Sequence, residues 1–281
     1  MKLLRYGRAG QEKPAVLDAQ GVLRDASQLV TDWCGAELAP EKLALLRGRQ
    51  LEALPAVAAG ERLGCPVARV GKIVCVGLNY ADHAAETGAV PPAEPVLFMK
   101  AVTAIGGPTD AVQIPPGAAK VDWEVELGVV IGSRATRVAE ELALEHVAGY
   151  VLANDVSERA WQMERGGTWD KGKSHDSFAP LGPWLVTADE VRDPHCIALW
   201  LEVNGRRMQN GNTSNFIFGV PKLISDISRF MTLEAGDVIL TGTPAGVGLG
   251  QKPEPIFLKP GDVMRLGADG LGEQQLVCVA V

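Results

Sequence analysis

Short apolar runs, separated by Gly, Pro and Asp, recur along the chain from Gly71 to its end. Most of them are rich in β-branched residues and have the length of strands, so the pattern predicts a β-dominated region. Asn204-Gly205 between two such runs predicts a type I′ turn and therefore a hairpin. The predicted strands cover residues 73–76, 121–131, 150–153, 184–186, 197–203, 238–240 and 263–266.

Three segments of the same region predict helices. Residues 81–87 form a short helix that Gly88 stops, with prolines at positions 91, 92 and 95 behind it. Residues 157–164 form the second helix. Residues 220–230 form the third, with Pro221 in its first turn.

The first sixty-odd residues have a different pattern. Residues 2–6 and 15–18 predict short strands, and residues 40–58, rich in Ala and Leu, predict short helices. Residues 60–66 (GERLGCP) have the composition of a linker. We therefore expect a small N-terminal α/β domain over residues 1–65 and a second domain over residues 71–281.

Composition limits the classes of function. Apolar residues make up 47% of the chain, which is enough for a sizeable core, and the net charge of −7 argues against nucleic acid or an anionic membrane as main partner. No apolar stretch resembles a signal peptide or a membrane span, so a cytoplasmic location is expected. The scattered cysteines contain no CxxC pair and predict neither a zinc site nor a disulfide framework; they are Cys34, Cys65, Cys75, Cys196 and Cys278.

Two acidic residues stand two apart in the predicted strand 121–131. Glu124 and Glu126 would project from the same face, while Trp123, Val125 and Leu127 face the other way. Two adjacent carboxylates repel one another unless a cation lies between them, and hard divalent ions prefer oxygen ligands. The alternative is an acidic, solvent-facing stripe.

Asp155 follows the predicted strand 150–153 and precedes the predicted helix at 157. A carboxylate at the end of a buried strand can project into a cleft as a third metal ligand. In the same position it can instead cap the following helix.

His83 and Glu86 are three residues apart on the predicted helix 81–87 and share a face. A carboxylate that orients an imidazole makes a general base for activating water. The alternative is a solvated surface pair. The flanking glycines and prolines would allow this segment to act as a lid.

Two further segments carry candidate chemistry. Lys173 lies in a polar stretch, where it is either a simple loop cation or a charge that neutralises a developing enolate. Residues 241–248 (TGTPAGVG) follow the predicted strand 238–240, and their small residues, hydroxyls and N–H groups could hold a carboxylate. The alternative for this loop is an ordinary turn.

Taken in order, six segments closely resemble the fumarylacetoacetate hydrolase superfamily. They span the chain from Gly71 onward, and residues 1–7 resemble a narrower group whose members are called ureidoglycolate lyases or hydrolases of 2,4-diketo-3-deoxy sugar acids. The six are VGLNYADH (76–83), LFMK (97–100), DWEVEL (122–127), NDVSER (154–159), KGK (171–173) and GDVILTGTP (236–244).

The resemblance implies a β-rich α+β fold with a rolled mixed sheet, a small N-terminal domain and a homodimer. It implies that Mg²⁺ or Mn²⁺ binds to Glu124, Glu126 and Asp155, with Ca²⁺ as a possible substitute in vitro. It assigns the remaining site residues to catalysis (His83, Glu86 and Lys173) and to contacts with the acid (Arg159, Gln162, Gly242 and Thr243). The chain departs from the family at His175 and Ala179, which bears on specificity.

The function expected from this resemblance is hydrolysis of a C–C bond in a 2,4-dioxo acid, with release of pyruvate. The candidate substrates are sugar acids such as 2,4-diketo-3-deoxy-L-rhamnonate or -fuconate. Alternatives within the superfamily are ureidoglycolate cleavage, oxaloacetate decarboxylation, and hydration or isomerisation of 2-oxo acids. A metal-dependent keto-acid binding protein without turnover is the non-enzymatic alternative.

Overall fold

A computed structural model describes all 281 residues and contains seventeen strands and five α-helices. The helices are α1 (Pro40–Arg47), α2 (Ala81–Thr87), α3 (Arg159–Met163), α4 (Asp170–Lys173) and α5 (Val220–Phe230). The first nine strands are β1 (Lys2–Tyr6), β2 (Lys13–Leu17), β3 (Leu23–Asp25), β4 (Ile73–Gly77), β5 (Val96–Lys100), β6 (Ile105–Gly106), β7 (Val112–Ile114), β8 (Val121–Asp122) and β9 (Val125–Ile131). The others are β10 (Val147–Asn154), β11 (Ser157–Glu158), β12 (Ala179–Thr187), β13 (Ala198–Val203), β14 (Arg206–Asn212), β15 (Val238–Leu240), β16 (Val263–Ala268) and β17 (Gly272–Ala280).

Most strands belong to one ten-stranded sheet. Its order is β3-β2-β1-β12-β10-β9-β15-β4-β5, with β6 paired to β12 off this path. The β15–β4 and β12–β6 pairs are parallel and the other pairs are antiparallel, so the sheet is mixed. A five-stranded sheet, β14-β13-β16-β17-β7, and the short β8–β11 pair complete the fold. The predicted β-rich α+β class with a mixed sheet is confirmed.

The N-terminal strands extend the central sheet. Strand β1 pairs with β12, where Leu3 lies opposite Leu185. Leu3, Trp33 and Leu38 belong to the same continuous apolar core as the middle of the sheet. The division of the chain between residues 65 and 71 stays a prediction.

The predicted helices and the hairpin formed largely where the pattern placed them. Helix α5 spans the predicted residues, and α2 ends at Gly88, whose φ of 68° is the left-handed conformation that favours glycine. Asn204 and Gly205 have φ values of 52° and 77°, as a type I′ turn requires. No helix of the protein is both long and apolar enough to cross a membrane.

The predicted helix 157–164 was partly wrong. Residues Ser157–Glu158 form β11, and α3 begins only at Arg159. The N-cap of α3 is Glu158, whose side chain accepts a hydrogen bond from the Trp161 N–H at 2.5 Å. Because Glu158 occupies the cap position, the alternative role of Asp155 as a helix cap is wrong.

The predicted strand 121–131 is interrupted at Trp123 and Glu124. The Glu124 N–H donates to the side-chain oxygen of Asn154 at 3.1 Å, and the Val125 N–H donates to that of Gln209 at 2.9 Å. Distant side chains thus replace the ladder partners of the backbone. The predicted continuous strand is therefore wrong at Trp123 and Glu124, although Glu124 and Glu126 still project together.

Candidate active site and metal centre

Glu124, Glu126 and Asp155 converge at one end of the β9–β10 pair. One carboxylate oxygen of each lies within 4.8 Å of the others, and all three residues are buried, with exposed fractions of 5%, 2% and 0%. This burial rules out the alternative of a solvent-facing acidic stripe.

The antiparallel register brings these residues together. Glu126 lies opposite Ala153, and Val125 lies opposite Asn154, the last residue of β10. The start of β9 therefore lies beside the end of β10, and the Asp155 N–H donates to the Glu124 carbonyl at 2.8 Å. Residues thirty positions apart in sequence become neighbours through a single strand pairing.

Buried cations neutralise most of this negative charge. Lys173 Nζ lies 2.8 Å from Glu124 Oε2 and 2.8 Å from Asp155 Oδ2. Lys100 Nζ lies 2.5 Å from Asp155 Oδ1, and an Arg159 nitrogen lies 2.7 Å from Glu124 Oε1. Two carboxylates of the centre are therefore already paired with cations.

The pKa values of the two glutamates shift in opposite directions. Burial alone would raise the pKa of Glu124, but the charges of Lys173 and Arg159 outweigh it and lower that pKa to about 2. Burial, together with the charges of Asp155 and Glu124, raises the pKa of Glu126 well above its ordinary value. The charge of Lys173 and the Gly242 N–H offset this rise in the pKa of Glu126 only in part.

This donor set fits a divalent cation. It offers three hard carboxylate ligands, which suits Mg²⁺ or Mn²⁺. The Glu126 carboxylate is held by one hydrogen bond, from the Gly242 N–H at 2.8 Å. A cation at this point would relieve the repulsion that raises the Glu126 pKa.

Lys173 reaches the centre because α4 packs closely on the chain around α3. A Cβ at Gly172 would lie 2.4 Å from the Glu158 carbonyl oxygen, so this approach requires glycine. Burial would lower the pKa of Lys173, but Asp155 and Glu124 raise it, so the ammonium stays charged. Lys173 is 2% exposed, and the alternative of a simple loop cation is wrong for it.

His83 and Glu86 form a pair on α2, which borders the cleft. The imidazole Nδ1 lies 3.1 Å from Glu86 Oε2, and the Gly246 N–H donates to Glu86 Oε1 at 3.0 Å. Their side chains are 11% and 18% exposed, so the alternative of a solvated surface pair is wrong. Both carboxylate oxygens of Glu86 therefore have a partner, and the carboxylate orients the imidazole ring of His83.

A cleft of about 360 Å³ has eight of the ten predicted site residues in its lining, and the other two, Glu86 and Asp155, contact lining residues. The eight are His83, Glu124, Glu126, Arg159, Gln162, Lys173, Gly242 and Thr243. The structure thus brings the predicted set together. Their individual roles stay predictions.

Three predicted substrate contacts are engaged within the protein. The Thr243 hydroxyl donates to the Val125 carbonyl at 2.8 Å, and it accepts from the Gln209 amide at 2.7 Å. The Arg159 guanidinium donates to Gln162 Oε1 at 3.1 Å. The Thr243 hydroxyl therefore has no proton left to donate to a ligand, and part of the Arg159 guanidinium is occupied by Gln162.

The sequence analysis gave no role to Asp122 and Lys100, two buried residues of the site. Asp122 accepts hydrogen bonds from the N–H groups of Gly248 and Leu249, at 2.6 and 3.0 Å, and from Arg159 Nε at 2.8 Å. It thereby joins the loop after β15 to the arginine beside Glu124. For Asp122, an acidic residue directly before a Trp-Glu-Val-Glu run was the available signal in the sequence.

Asp122→Asn is expected to destabilise the protein by on the order of 3–5 kcal/mol, because Arg159 loses a buried partner and an amide nitrogen faces N–H donors. Thermal unfolding measures the effect. Glu164→Gln is the matched control, since the Lys120–Glu164 pair is exposed and solvent screening leaves it little net effect on stability. Equal losses in the two variants would contradict the role given to Asp122.

Comparison with known proteins places this geometry in context. Residues 72–278 match the family model described as fumarylacetoacetate (FAA) hydrolase, C-terminal. A protein of Burkholderia ambifaria, provisionally named as a hydrolase, is 58% identical over 274 residues, which cover 98% of this chain and 97% of the relative.

Two solved structures of similar fold have named activities. The 5-carboxymethyl-2-hydroxymuconate delta-isomerase of Mycobacterium smegmatis has a TM-score of 0.79 and 35% identity, over 100% of this chain and 99% of the other. The maleylpyruvate hydrolase of Sphingobium sp. SYK-6 was solved with manganese(II) and pyruvate. It has a TM-score of 0.81 and 30% identity, over 100% of this chain and 99% of the other. Hydrolases and isomerases are thus both similar to this chain.

Proposed function

This chain belongs to the fumarylacetoacetate hydrolase family, and from its site we propose that it is a Mg²⁺- or Mn²⁺-dependent hydrolase of a 2,4-dioxo acid that releases pyruvate. The observation that carries the proposal is the arrangement of one cleft. It combines a buried three-carboxylate centre, a charged lysine in contact with it, and an oriented His–Glu pair.

The bound cation would supply Lewis acidity toward the 2-oxo acid group and would fix its orientation. Glu124, Glu126 and Asp155 would hold it. Lys173 lies against two of these ligands, where its charge would neutralise the negative charge that develops on the 2-oxo oxygen.

His83 would act as the general base. Its ring would take a proton from water while the water oxygen bonds to C4, and Glu86 would hold the ring through Nδ1. The C3–C4 bond then breaks, its electron pair remains on C3, and protonation of C3 gives pyruvate. The other product is the carboxylic acid that contains C4.

The comparisons support hydrolysis and leave one alternative of the same family. The maleylpyruvate hydrolase was solved with manganese(II) and pyruvate, the metal and the product proposed for this chain. Isomerisation of a 2-oxo acid is the second candidate, because a delta-isomerase is similar over the whole chain. An isomerase would use a base such as His83 to move a proton on the substrate itself, without activating water.

The finer assignments remain part of the proposal. The resemblance of the N-terminal residues suggests 2,4-diketo-3-deoxy-L-rhamnonate or -fuconate as substrate. We also propose a cytoplasmic homodimer, as the family resemblance implies.

Chelation is expected to abolish pyruvate release, and Mn²⁺ or Mg²⁺ to restore it. Metal-stripped protein should be assayed with a panel of 2,4-dioxo acids, including the two sugar acids, by coupled detection of pyruvate. Absence of pyruvate from every member after Mn²⁺ is added would overturn the hydrolase proposal. Rearrangement of a 2-oxo-diene acid without chain cleavage would support the isomerase instead.

A further inference from the structure

The cleft has an apolar wall in addition to its charged centre. The wall consists of six side chains that line the same cleft: Leu78, Phe98, Met163, Trp169, Val247 and Leu249. We propose that this apolar wall binds the group attached to C4, so that the substrates are acylpyruvates with an alkyl or aryl group rather than hydroxylated sugar acids. This inference rests on the proposed hydrolase function, and it replaces the sugar acids that the N-terminal resemblance suggests with an apolar class of 2,4-dioxo acid.

Polar side chains that could recognise sugar hydroxyls are scarce in the cleft. Apart from the charged centre, His83 and the predicted acid contacts Arg159, Gln162 and Thr243, the one polar side chain in the lining is Thr87. Its hydroxyl already donates to the carbonyls of His83 and Ala84, at 3.1 and 3.2 Å. The Thr243 hydroxyl is likewise engaged, with Val125 and Gln209.

A sugar-acid tail carries several hydroxyl groups beyond C4. Each hydroxyl that leaves water without a new partner weakens binding by about tenfold or more. An alkyl chain instead gains about fourfold for each methylene group that it buries. The lining therefore favours an apolar substituent.

The apolar wall is held in a defined shape. The six-membered ring of Trp169 lies so close to Gly77 that a Cβ there would be 2.5 Å from Trp169 Cζ3. On another side the Trp169 and Phe98 rings pack with centroids 5.1 Å apart. Phe98 also lies under the Lys173 ammonium, 4.8 Å from its ring centroid, which links the wall to the charged centre.

Leu78 occupies a backbone conformation that leucine rarely adopts. Its φ is 52°, in the left-handed region where Asn and Gly are the favoured residues. An apolar side chain is thus present at a position where the backbone alone would favour a polar one. Leu78→Asn is for the same reason a variant that should fold at least as well as the parent protein.

The test compares wild-type protein with Leu78→Asn and Leu249→Asn, all loaded with Mn²⁺. Leu142→Asn is the matched control, because Leu142 is 48% exposed and does not line the cleft. The substrates are acetylpyruvate, butanoylpyruvate, benzoylpyruvate and the two 2,4-diketo-3-deoxy sugar acids. The measurements are kcat/KM for pyruvate release, and affinity by calorimetry with the His83→Ala protein.

We expect wild-type kcat/KM to rise about tenfold from acetylpyruvate to butanoylpyruvate, and to be at least about tenfold lower for the sugar acids. Leu78→Asn and Leu249→Asn should reduce the ratio of kcat/KM for butanoylpyruvate to kcat/KM for acetylpyruvate to about two. Leu142→Asn should leave this ratio unchanged. A sugar acid preferred over butanoylpyruvate would overturn the inference while supporting the hydrolase proposal. If no compound is cleaved, the hydrolase proposal fails, and the calorimetric preference for apolar or hydroxylated ligands still decides the inference.

Discussion

Replacing His83 with alanine is expected to lower kcat for pyruvate release by about 10²–10⁴-fold, the contribution typical of a general base. The variant should bind Mn²⁺ as the parent does, because His83 is not among the three carboxylates and contacts Glu86 instead. Steady-state kinetics and Mn²⁺ calorimetry on the same preparations measure the two effects.

Two companion variants separate base catalysis from folding. His146→Ala removes an imidazole that is hydrogen-bonded to Ser133, outside the cleft, and kcat should stay within about twofold of the parent value. Glu86→Gln keeps a hydrogen-bond acceptor beside His83 but loses the carboxylate charge, so its kcat should fall less than that of His83→Ala. Near-full turnover of His83→Ala would remove His83 from the mechanism.

The elements that could be predicted from sequence are those with local determinants. Helix α5, the stop of α2 at Gly88 and the Asn204-Gly205 turn each depend on residues within one or two turns of chain, and the structure has them where the pattern placed them. The pairing of Glu124 and Glu126 was likewise visible as a two-residue spacing.

The rest of the site depends on contacts between distant residues. The interruption at Glu124 is stabilised by Asn154 and Gln209, thirty and more positions away. The burial of Lys100 against Asp155 joins the end of β5 to the residue after β10, although the two strands are not neighbours in the sheet, and no local pattern encodes such a contact. For the same reason spacing alone could not decide between a cap and a ligand at Asp155. The order of the family motifs carried that information instead.

Glu126→Gln is expected to abolish tight Mn²⁺ binding and turnover, and at the same time to stabilise the metal-free protein. Loss of one of three carboxylate ligands removes a charge that the cation requires. In the metal-free protein, burial and the nearby Asp155 and Glu124 carboxylates raise the pKa of Glu126, so its ionised form opposes folding. An amide relieves that repulsion and still accepts the Gly242 N–H bond.

Glu124→Gln, two residues away, should also abolish Mn²⁺ binding but should destabilise the metal-free protein. The pKa of Glu124 is lowered to about 2, because the charges of Lys173 and Arg159 outweigh the effect of its burial. The ionised Glu124 therefore stabilises the protein at a pH above its unfolded-state pKa, and this stabilisation is lost as the pH falls toward 2. The amide leaves both buried cations with one partner fewer.

The sign of the pH dependence separates the two variants further. Because the pKa of Glu126 is raised in the folded protein, Glu126 does not destabilise the fold at a pH below its unfolded-state pKa. Its destabilising effect grows as the pH rises from that value toward the folded-state pKa. In the presence of a chelator, the Tm advantage of Glu126→Gln should therefore grow with pH, at about 2–4 °C for each kcal/mol relieved. Thermal unfolding of both variants and the parent across that pH range, without metal, gives the comparison. Tm shifts of the same sign in both variants would show that the opposite electrostatic surroundings of Glu124 and Glu126 do not govern the stability of this centre.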